Sequence, residues 1–345
     1  MTTTPAPAGR EFARSAARPS VAVVVPAHRD SVELRRCLAA LSGATPAPDE
    51  LVVVVDGGDP ATVVTAEQHA DRVLPLDTAG GPARARNVGV EATSSEVVFF
   101  VDSDVVVRPD AVGRLRDVFG SRHELAALIG SYDDEPPAPG LVSQYKNLLN
   151  HHVHQTAEVE GSTFWGACGA VRRHAFEAVG GFDERYTRPC VEDIELGHRL
   201  AHAGFAIEVK KDLQVTHLKH WTAASMVRAD VLDRAVPWSE LIVQGAGFID
   251  DLNISRRQRV KAGLAVLAVL AVALQPHRRH GRRAVVASVT ALTVLDLPLL
   301  RFLARKRGVR FALGAAGWHW LSYVYSAGTF ALVAARATAR RLSSP

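Results

Sequence analysis

The strongest constraint on the fold is a run of five apolar residues, 97–101, that ends in two aspartates two positions apart, Asp102 and Asp104. A short run with no polar alternation is typical of a strand covered on both faces, as in a parallel sheet. Ligands of open α/β sheets bind beyond the carboxyl ends of the strands, where these aspartates follow. Two carboxylates on one turn suit a hard divalent cation. The alternative is that they only begin a turn or cap the next helix.

Strands and helices are expected to alternate along residues 20–220. The predicted strands are 20–26, 51–56, 72–76, 97–101 and 125–129, with irregular or extended stretches at 162–171 and 207–217. The predicted helices are 31–41, 61–70, 142–154 and 191–203. This alternation predicts an α/β domain with a doubly wound parallel sheet and helices on both faces.

The charge is divided unevenly, although the formal net charge is only +4. Residues 1–251 hold 24 Lys and Arg against 35 Asp and Glu, whereas residues 252–345 hold 16 Lys and Arg and a single acid, Asp296. A basic tail is typical of membrane or nucleic-acid binding. Apolar runs inside this tail favour a membrane, so no nucleic-acid partner is expected.

Three apolar runs divide the basic tail: 262–274, 284–300 and 311–335. The third is longer than the roughly 20 residues that span a bilayer, the second is marginal, and the first is short. The tail is therefore predicted to be a membrane anchor with two to three transmembrane segments. This prediction makes the chain a multi-pass protein of the cell membrane.

Four regions follow from these patterns. Residues 1–19 have no apolar core and are expected to be a disordered tail rather than a signal peptide. Residues 20–221 form the catalytic domain, residues 222–255 an amphipathic interfacial linker, and residues 256–345 the anchor. A core helix is the alternative for the linker. The three cysteines have no metal-like spacing, so neither a disulfide framework nor a zinc site is predicted.

Six motifs in order resemble the family 2 glycosyltransferases of the GT-A fold, over roughly residues 20–221. They are PAH (26–28), VVVVDGG around Asp56, GPARARN (81–87), VDSD (101–104), WGACGAVRRHAFEAVGGFDE (165–184) and VEDIELGHRL (191–200). From HLKHWT (217–222) onward, the chain resembles membrane-anchored bacterial members that glycosylate lipid or polyprenyl-phosphate acceptors.

The paired aspartates fit what sugar transfer from a nucleotide needs. A divalent cation, Mn²⁺ or Mg²⁺, held by Asp104 would neutralise the leaving diphosphate, with Asp102 toward the ribose or a metal-bound water. Asp56 can accept a hydrogen bond from a pyrimidine imide, although a turn or cap role is the alternative. Pro26 and His28 are expected at the nucleotide, where His28 departs from the usual family pattern.

The resemblance implies that Asp193 is the general base that takes the acceptor proton and that Glu192 orients it. Two acids that merely begin a helix are the alternative. No residue indicates a covalent nucleophile on the opposite side of the sugar. Inversion at the anomeric carbon is therefore expected.

Two arginines, Arg84 and Arg86, lie two residues apart and do not share a helix face. One is expected to pair with a site carboxylate or phosphate, and the other to lie at the surface. Arg84 and Asn87 are three residues apart and therefore lie next to each other on one side of a helix. Both are predicted to contact the nucleotide sugar. Gly166 has no side chain and would let the backbone approach the sugar closely.

Aromatic side chains lie at the end of the last predicted extended stretch, 207–217, and just after it. His217, His220 and Trp221 stand where processive relatives have glutamine, arginine and tryptophan, so polymer synthesis is not expected. His217 can ligate the same cation or touch the diphosphate, and Trp221 can stack on a sugar.

The predicted function is inverting transfer of a hexosyl group from a nucleoside-diphosphate sugar to a lipid or polyprenyl-phosphate-linked acceptor at the cytoplasmic membrane face. A nucleotide-binding dehydrogenase is disfavoured because no G-x-G-x-x-G follows the first strand. The remaining alternatives are a catalytically weak nucleotide-binding membrane scaffold and a transferase with a soluble acceptor.

Overall fold

The computed structural model describes residues 18–243, 256–274 and 279–343. Most of the predicted tail, residues 1–17, and the end of the predicted linker, residues 244–255, lie outside the described residues.

One sheet forms the centre of the catalytic domain. The nine strands among the described residues are β1 (Val21–Ala27), β2 (Glu50–Asp56), β3 (Arg72–Leu76), β4 (Val97–Val101), β5 (Val105–Val107), β6 (Leu125–Tyr132), β7 (Glu160–Gly161), β8 (Cys168–Arg172) and β9 (Ala206–His217). Their order is β3-β2-β1-β4-β8-β6-β9-β5, and β7 pairs with β9.

The sheet is mixed, which corrects the prediction of a parallel sheet. Strand β8 runs antiparallel to both β4 and β6, and β5 and β7 run antiparallel to β9. The other six strands share one direction. The apolar runs indicated burial on both faces, which an antiparallel neighbour satisfies equally well. Burial alone therefore did not determine strand direction.

Helices cover both faces of the sheet, as predicted. Those of the catalytic domain are α1 (Val32–Ser42), α2 (Pro60–Glu67), α3 (Pro82–Glu91), α4 (Ala111–Ser121), α5 (Leu141–Thr156), α6 (Arg173–Ala178) and α7 (Glu192–His202). Alternate residues of β1 belong to different cores, because Val23 and Val25 pack with Leu34 whereas Val24 packs with Phe100 on the other face. The α/β class is confirmed.

The strand directions bring distant residues to one edge of the sheet. His28 follows β1, Asp56 ends β2, Asp102 follows β4, Tyr132 ends β6 and His217 ends β9. Because these five strands are parallel, all five residues lie at the same carboxyl edge.

A continuous helix follows the catalytic domain and occupies the described part of the region predicted to be an interfacial linker. It consists of α8 (Ala223–Arg228), a π-helical segment (Ala229–Ala235) and α9 (Val236–Leu241), and is called the linker helix below. Met226 of this helix is buried in a cluster with Tyr145 and Leu148 of α5.

Three long helices, α10 (Arg256–Leu274), α11 (Arg279–Arg307) and α12 (Val309–Ser343), contain the three predicted apolar runs. Within the described residues only His280–Arg307 is long and apolar enough to cross a bilayer, with a mean hydropathy of 1.7 in its most apolar stretch. The run 311–335, expected to be the strongest, does not qualify because its Trp, Tyr, His and Ser side chains lower its hydropathy. Two to three transmembrane segments are therefore not confirmed.

One glycine sets how closely α7 approaches the sheet. A Cβ at Gly197 would overlap backbone atoms of Thr163 and Phe164, which cannot move aside as a flexible side chain would. The absence of a side chain at this position thus brings the first turn of α7 near the residues that precede β8.

We expect Gly197→Ala to destabilise the protein by about 1–3 kcal/mol, because the added methyl group overpacks a backbone contact. Gly263→Ala is the control, since Gly263 also lies in a helix but has no atom near its added Cβ. Denaturant unfolding of both variants measures the difference. Equal stabilities would contradict the role given to Gly197.

Candidate active site

A cavity of about 550 Å³ lies at the carboxyl edge of the sheet. Nine of the predicted site residues line it: Pro26, His28, Asp56, Asp102, Asp104, Glu192, Asp193, His217 and Trp221. They come from five separate parts of the chain. The structure thus brings nine of the predicted site residues to one cavity.

The buried guanidinium of Arg86 joins the two acidic motifs across this cavity. Its Nη2 donates to Asp102 Oδ1 at 2.8 Å and its Nη1 donates to Glu192 Oε1 at 2.9 Å. Arg86 is only 3% exposed, and its guanidinium carbon lies 5.2 Å from the centre of the Phe182 ring. Asp102 is thus held by Arg86, and Glu192 is an ion-pair partner.

Asp193 stands at the start of α7 with its carboxylate in the cavity. Its Oδ2 accepts a hydrogen bond from the backbone N–H of Gly166 at 3.0 Å. Burial, with the charge of Glu192 adding to it, raises the pKa of Asp193 to about 6, although Gly166 and Arg86 oppose the shift. A carboxylate with this pKa is a better proton acceptor near neutral pH than an ordinary aspartate.

The side chains of Asp104 and His217 face each other in the cavity. Asn147 Nδ2 donates to the Lys219 carbonyl at 3.3 Å, which turns Asn147 Oδ1 toward His217 Nδ1 at 2.6 Å. Because an amide oxygen only accepts, His217 Nδ1 donates to Asn147, and its Nε2 faces Asp104 Oδ2 at 3.5 Å.

A cation shared by His217 Nε2 and Asp104 Oδ2 would fit this arrangement. Burial alone would raise the pKa of Asp104, but His217 and Lys219 hold it below its usual range. Carboxylate and imidazole are both ligands of first-row divalent metals. The described residues contain no cluster of three or more metal-ligating side chains, and the Asp102 carboxylate is paired with Arg86. The donor set fits a cation that also takes oxygen ligands from a diphosphate.

Asp56 binds the glycine turn that precedes α3. Its two carboxylate oxygens accept hydrogen bonds from the N–H groups of Gly80 and Gly81, at 2.7 and 2.9 Å. His28 Nδ1 lies 2.7 Å from the Asp56 carbonyl oxygen. The turn role that was the alternative for Asp56 is thus present, and the carboxylate also borders the cavity.

Arg84, Asn87 and Gly166, which were predicted to contact the nucleotide sugar, are not among the residues that line the cavity. Arg84 reaches only Thr78 at its exposed end, because it lies on another helix face than Arg86. Asn87 makes two hydrogen bonds with the backbone of Phe182 and one with Glu184. A Cβ at Gly166 would lie 2.7 Å from the guanidinium carbon of Arg86, so this glycine makes room for Arg86 rather than for a sugar.

The sequence left open which of Arg84 and Arg86 pairs with a site carboxylate. In the structure it is Arg86, which shares the buried face of α3 with Ala83 and Val90. Nothing in the sequence pattern indicated Asn147 or the cavity-lining Trp238 of the linker helix. Within the described residues the buried indole N–H groups of Trp221 and Trp238 have no acceptor, so both can donate to a bound substrate.

Two family models match the chain. Residues 22–180 match the model described as "Glycosyl transferase family 2", and residues 150–221 match the one described as "N-terminal domain of galactosyltransferase". Together they cover the strands and loops that form the cavity.

Several relatives of this chain are named as glycosyltransferases. A pre-mycofactocin glycosyltransferase of Mycobacterium tuberculosis is 30% identical over 230 residues, covering 59% of this chain and 44% of the relative. A validoxylamine A glucosyltransferase of Streptomyces hygroscopicus subsp. limoneus is 27% identical, covering 56% of this chain and 50% of the relative. The chain therefore spans about half the length of these relatives.

A third relative, also from Mycobacterium tuberculosis, is named N-acetylglucosaminyl-diphospho-decaprenol L-rhamnosyltransferase. It is 28% identical, and the match covers 57% of this chain and 75% of the relative. These names and the family 2 match support a glycosyltransferase enzyme.

The fold resembles that of a mannosyltransferase from Pyrobaculum calidifontis, solved in complex with GDP-Man and Mn²⁺. The TM-score is 0.57 at 18% sequence identity, and the match covers 88% of both chains. This similarity supports the predicted GT-A fold. Because the catalytic domain and linker helix make up only about two thirds of the chain, part of the C-terminal helices is included.

We expect Asp193→Asn to lower kcat by about two orders of magnitude or more, because an amide cannot accept the proton that a general base takes. In the wild type, kcat should fall as the pH drops through about 6, where Asp193 becomes protonated. Calorimetry should show nearly unchanged affinity for the nucleoside diphosphate with Mn²⁺. Loss of that affinity together with the rate would indicate a structural role instead.

The same substitution should stabilise the fold above pH 6. The raised pKa means that ionising Asp193 costs folding free energy as the pH rises from the ordinary value of 3.8 to about 6, about 3 kcal/mol at most at 1.36 kcal/mol per unit. The unfolding free energy of Asp193→Asn should thus exceed that of the wild type at pH 7 and match it below pH 4. Identical pH profiles would show that Asp193 ionises normally.

Proposed function

We propose that this chain, which carries a family 2 glycosyltransferase domain, transfers a sugar from a nucleoside-diphosphate donor to a lipid or polyprenyl-phosphate-linked acceptor with inversion. The observation that carries the proposal is the single cavity that Asp104 and His217 share with Asp193. A cation site and a proton acceptor in one cavity are what the two ends of such a displacement require.

The donor is proposed to bind at the carboxyl edge of the sheet. Asp56 and His28 stand at the nucleotide end, beside the glycine turn. Asp104 and His217 would hold a divalent cation, Mn²⁺ or Mg²⁺, that when bound neutralises the leaving diphosphate. Lys219, whose ammonium lies over the Trp221 ring at 4.5 Å, adds positive charge at this point.

Asp193 is proposed to take the proton of the acceptor hydroxyl. Arg86 holds Glu192 in an ion pair at 2.9 Å, so Glu192 orients the start of α7 rather than accepting the proton. With the base on one side of the sugar and the leaving group on the other, a single in-line displacement inverts the anomeric carbon. In the proposed complex, the indole N–H groups of Trp221 and Trp238 donate hydrogen bonds to sugar hydroxyls.

The lipid acceptor is inferred from the wall of the cavity. Arg234 and Trp238 of the linker helix line the cavity, and the same helix packs against α12. An acceptor that reaches Asp193 therefore passes beside the basic, apolar C-terminal helices. The decaprenol-linked substrate in one relative's name is consistent with such an acceptor, whereas the validoxylamine A of another is not a lipid carrier, so both classes belong in the test.

Donor hydrolysis by the full-length protein tests the proposal. A panel of nucleotide sugars is incubated with and without Mn²⁺, first alone, then with membrane lipid extract, and then with soluble sugar acceptors. Transfer to the extract, identified by mass spectrometry, is the expected result. Transfer to soluble acceptors alone would replace the lipid acceptor, and no hydrolysis of any donor would favour a scaffold.

We expect His217→Ala to lower the affinity for Mn²⁺ at least about tenfold in the presence of a nucleoside diphosphate, since even the partners of metal ligands contribute 10–100-fold. His220→Ala is the control, because His220 is exposed and lies three residues further along. Calorimetric titration of Mn²⁺ measures both. Equal affinities in the two variants would remove His217 from the cation site.

A further inference from the structure

Helix α12 remains in contact with the rest of the protein over most of its length. His319 Nδ1 lies 2.9 Å from the Tyr145 hydroxyl of α5, and the Tyr325 hydroxyl donates to Asp230 at 2.6 Å. Near the end of the helix, Arg341 donates to the Val243 carbonyl at 3.0 Å. The linker helix therefore runs alongside α12 in the same direction.

This contact is too long for a helix that leaves the domain to cross a membrane. Residues 319 and 341 are about 33 Å apart at 1.5 Å per residue, which matches the roughly 30 Å of a bilayer's hydrocarbon core. Over this length the neighbouring linker helix carries Asp233 and Arg234, and its Trp238 lines the active-site cavity. Such neighbours exclude hydrocarbon from that side, so α12 lies along the catalytic domain.

Part of the surface of α12 is apolar and exposed. Leu313, Leu321 and Leu332 are 70%, 46% and 52% exposed. No charged side chain is exposed on this helix between Arg310 and Arg336. A stripe of this length would be costly in water.

Helices α10 and α11 add to this surface. Leu267 and Leu270 of α10 are 50% and 47% exposed, and Val286 and Val294 of α11 are 65% and 62% exposed. Eleven of the sixteen large apolar side chains that are exposed among the described residues lie on α10, α11 and α12. These three helices are called the C-terminal layer below.

The charges of the C-terminal layer indicate what covers it. Its one acid, Asp296, is 1% exposed and pairs with Lys261 at 2.7 Å. The charged side chains that remain exposed are all basic: Arg256, Arg257, Arg282, Arg283, Arg301, Arg305, Lys306, Arg307, Arg310, Arg336, Arg340 and Arg341. Two such layers would repel each other, which disfavours a second copy of the chain. An anionic lipid surface attracts both the arginines and the apolar side chains between them.

We propose that the C-terminal layer lies in the plane of an anionic bilayer surface, with α12 parallel to the membrane. The catalytic domain then rests on the layer through α5 and the linker helix. This attachment goes beyond the proposed reaction and does not depend on it.

The depth of labels along α12 tests the orientation. A fluorophore is attached to a single cysteine at Leu313→Cys, Leu321→Cys or Leu332→Cys, in a Cys190→Ser background because Cys37 and Cys168 are buried. Its depth is measured with quenchers at known positions in phosphatidylglycerol/phosphatidylcholine vesicles. We expect equal, shallow depths of about 5–10 Å at all three positions.

Two other results would overturn the proposal. If α12 spans the bilayer, positions 313 and 332, about 28 Å apart along the helix, report opposite interfaces and position 321 reports the bilayer centre. If all three labels stay in water, like a control label at the exposed Val64 of α2, the surface does not bind lipid. A concentration-dependent dimer in sedimentation would then identify a second copy as the cover.

A pair of matched valines tests the lipid contact without labels. Val286 of α11 and Val32 of α1 are both 65% exposed, so neither substitution disturbs the core. Val286→Asp should weaken binding to the anionic vesicles at least about tenfold, because it replaces buried apolar area with a repelled charge. Val32→Asp should bind as the wild type does. Equal binding by both variants, measured by vesicle sedimentation, would contradict the proposed surface.

Discussion

The active site depends on one buried ion-pair network, centred on Arg86. The guanidinium binds Asp102 after β4 and Glu192 at the start of α7, two positions separated by 90 residues of chain. Removing one member of such a network leaves a buried charge uncompensated, which costs several kcal/mol. Gly166 leaves the space that the guanidinium occupies, and the same residue's N–H binds Asp193. The network therefore ties the segment that carries Asp104 to the start of α7, where Asp193 lies.

Helix α5 links this site to the C-terminal helices through three consecutive residues. Tyr145 contacts His319 of α12, Lys146 pairs with Asp230 of the linker helix at 2.5 Å, and Asn147 orients His217. Successive helical residues point about 100° apart, which is why one short stretch can reach three partners. The imidazole at the candidate cation site is thus positioned by a helix that the C-terminal layer also packs against.

The errors of prediction have specific physical causes. Arg84 and Arg86 are equally basic and only two residues apart, so composition could not tell which one is buried. The choice depends on which helix face meets the sheet, and that is Arg86, beside Ala83 and Val90. Strand direction was missed because an apolar run reports burial on both faces and not the polarity of its neighbour. Asn147 was missed because its partners lie 70 and 72 residues away.

The sequence by itself determined the α/β class, the positions of the main strands, and the acidic residues that follow them. Apolar runs and the polar residues that end them are local features, so they are visible in a single chain. The tertiary structure decided which of the candidate residues meet and how the C-terminal helices are oriented. These depend on contacts between distant segments, as when Val243 meets Arg341. An apolar helix has the same hydropathy whether it crosses a membrane or lies along a domain, and only its neighbours distinguish the two.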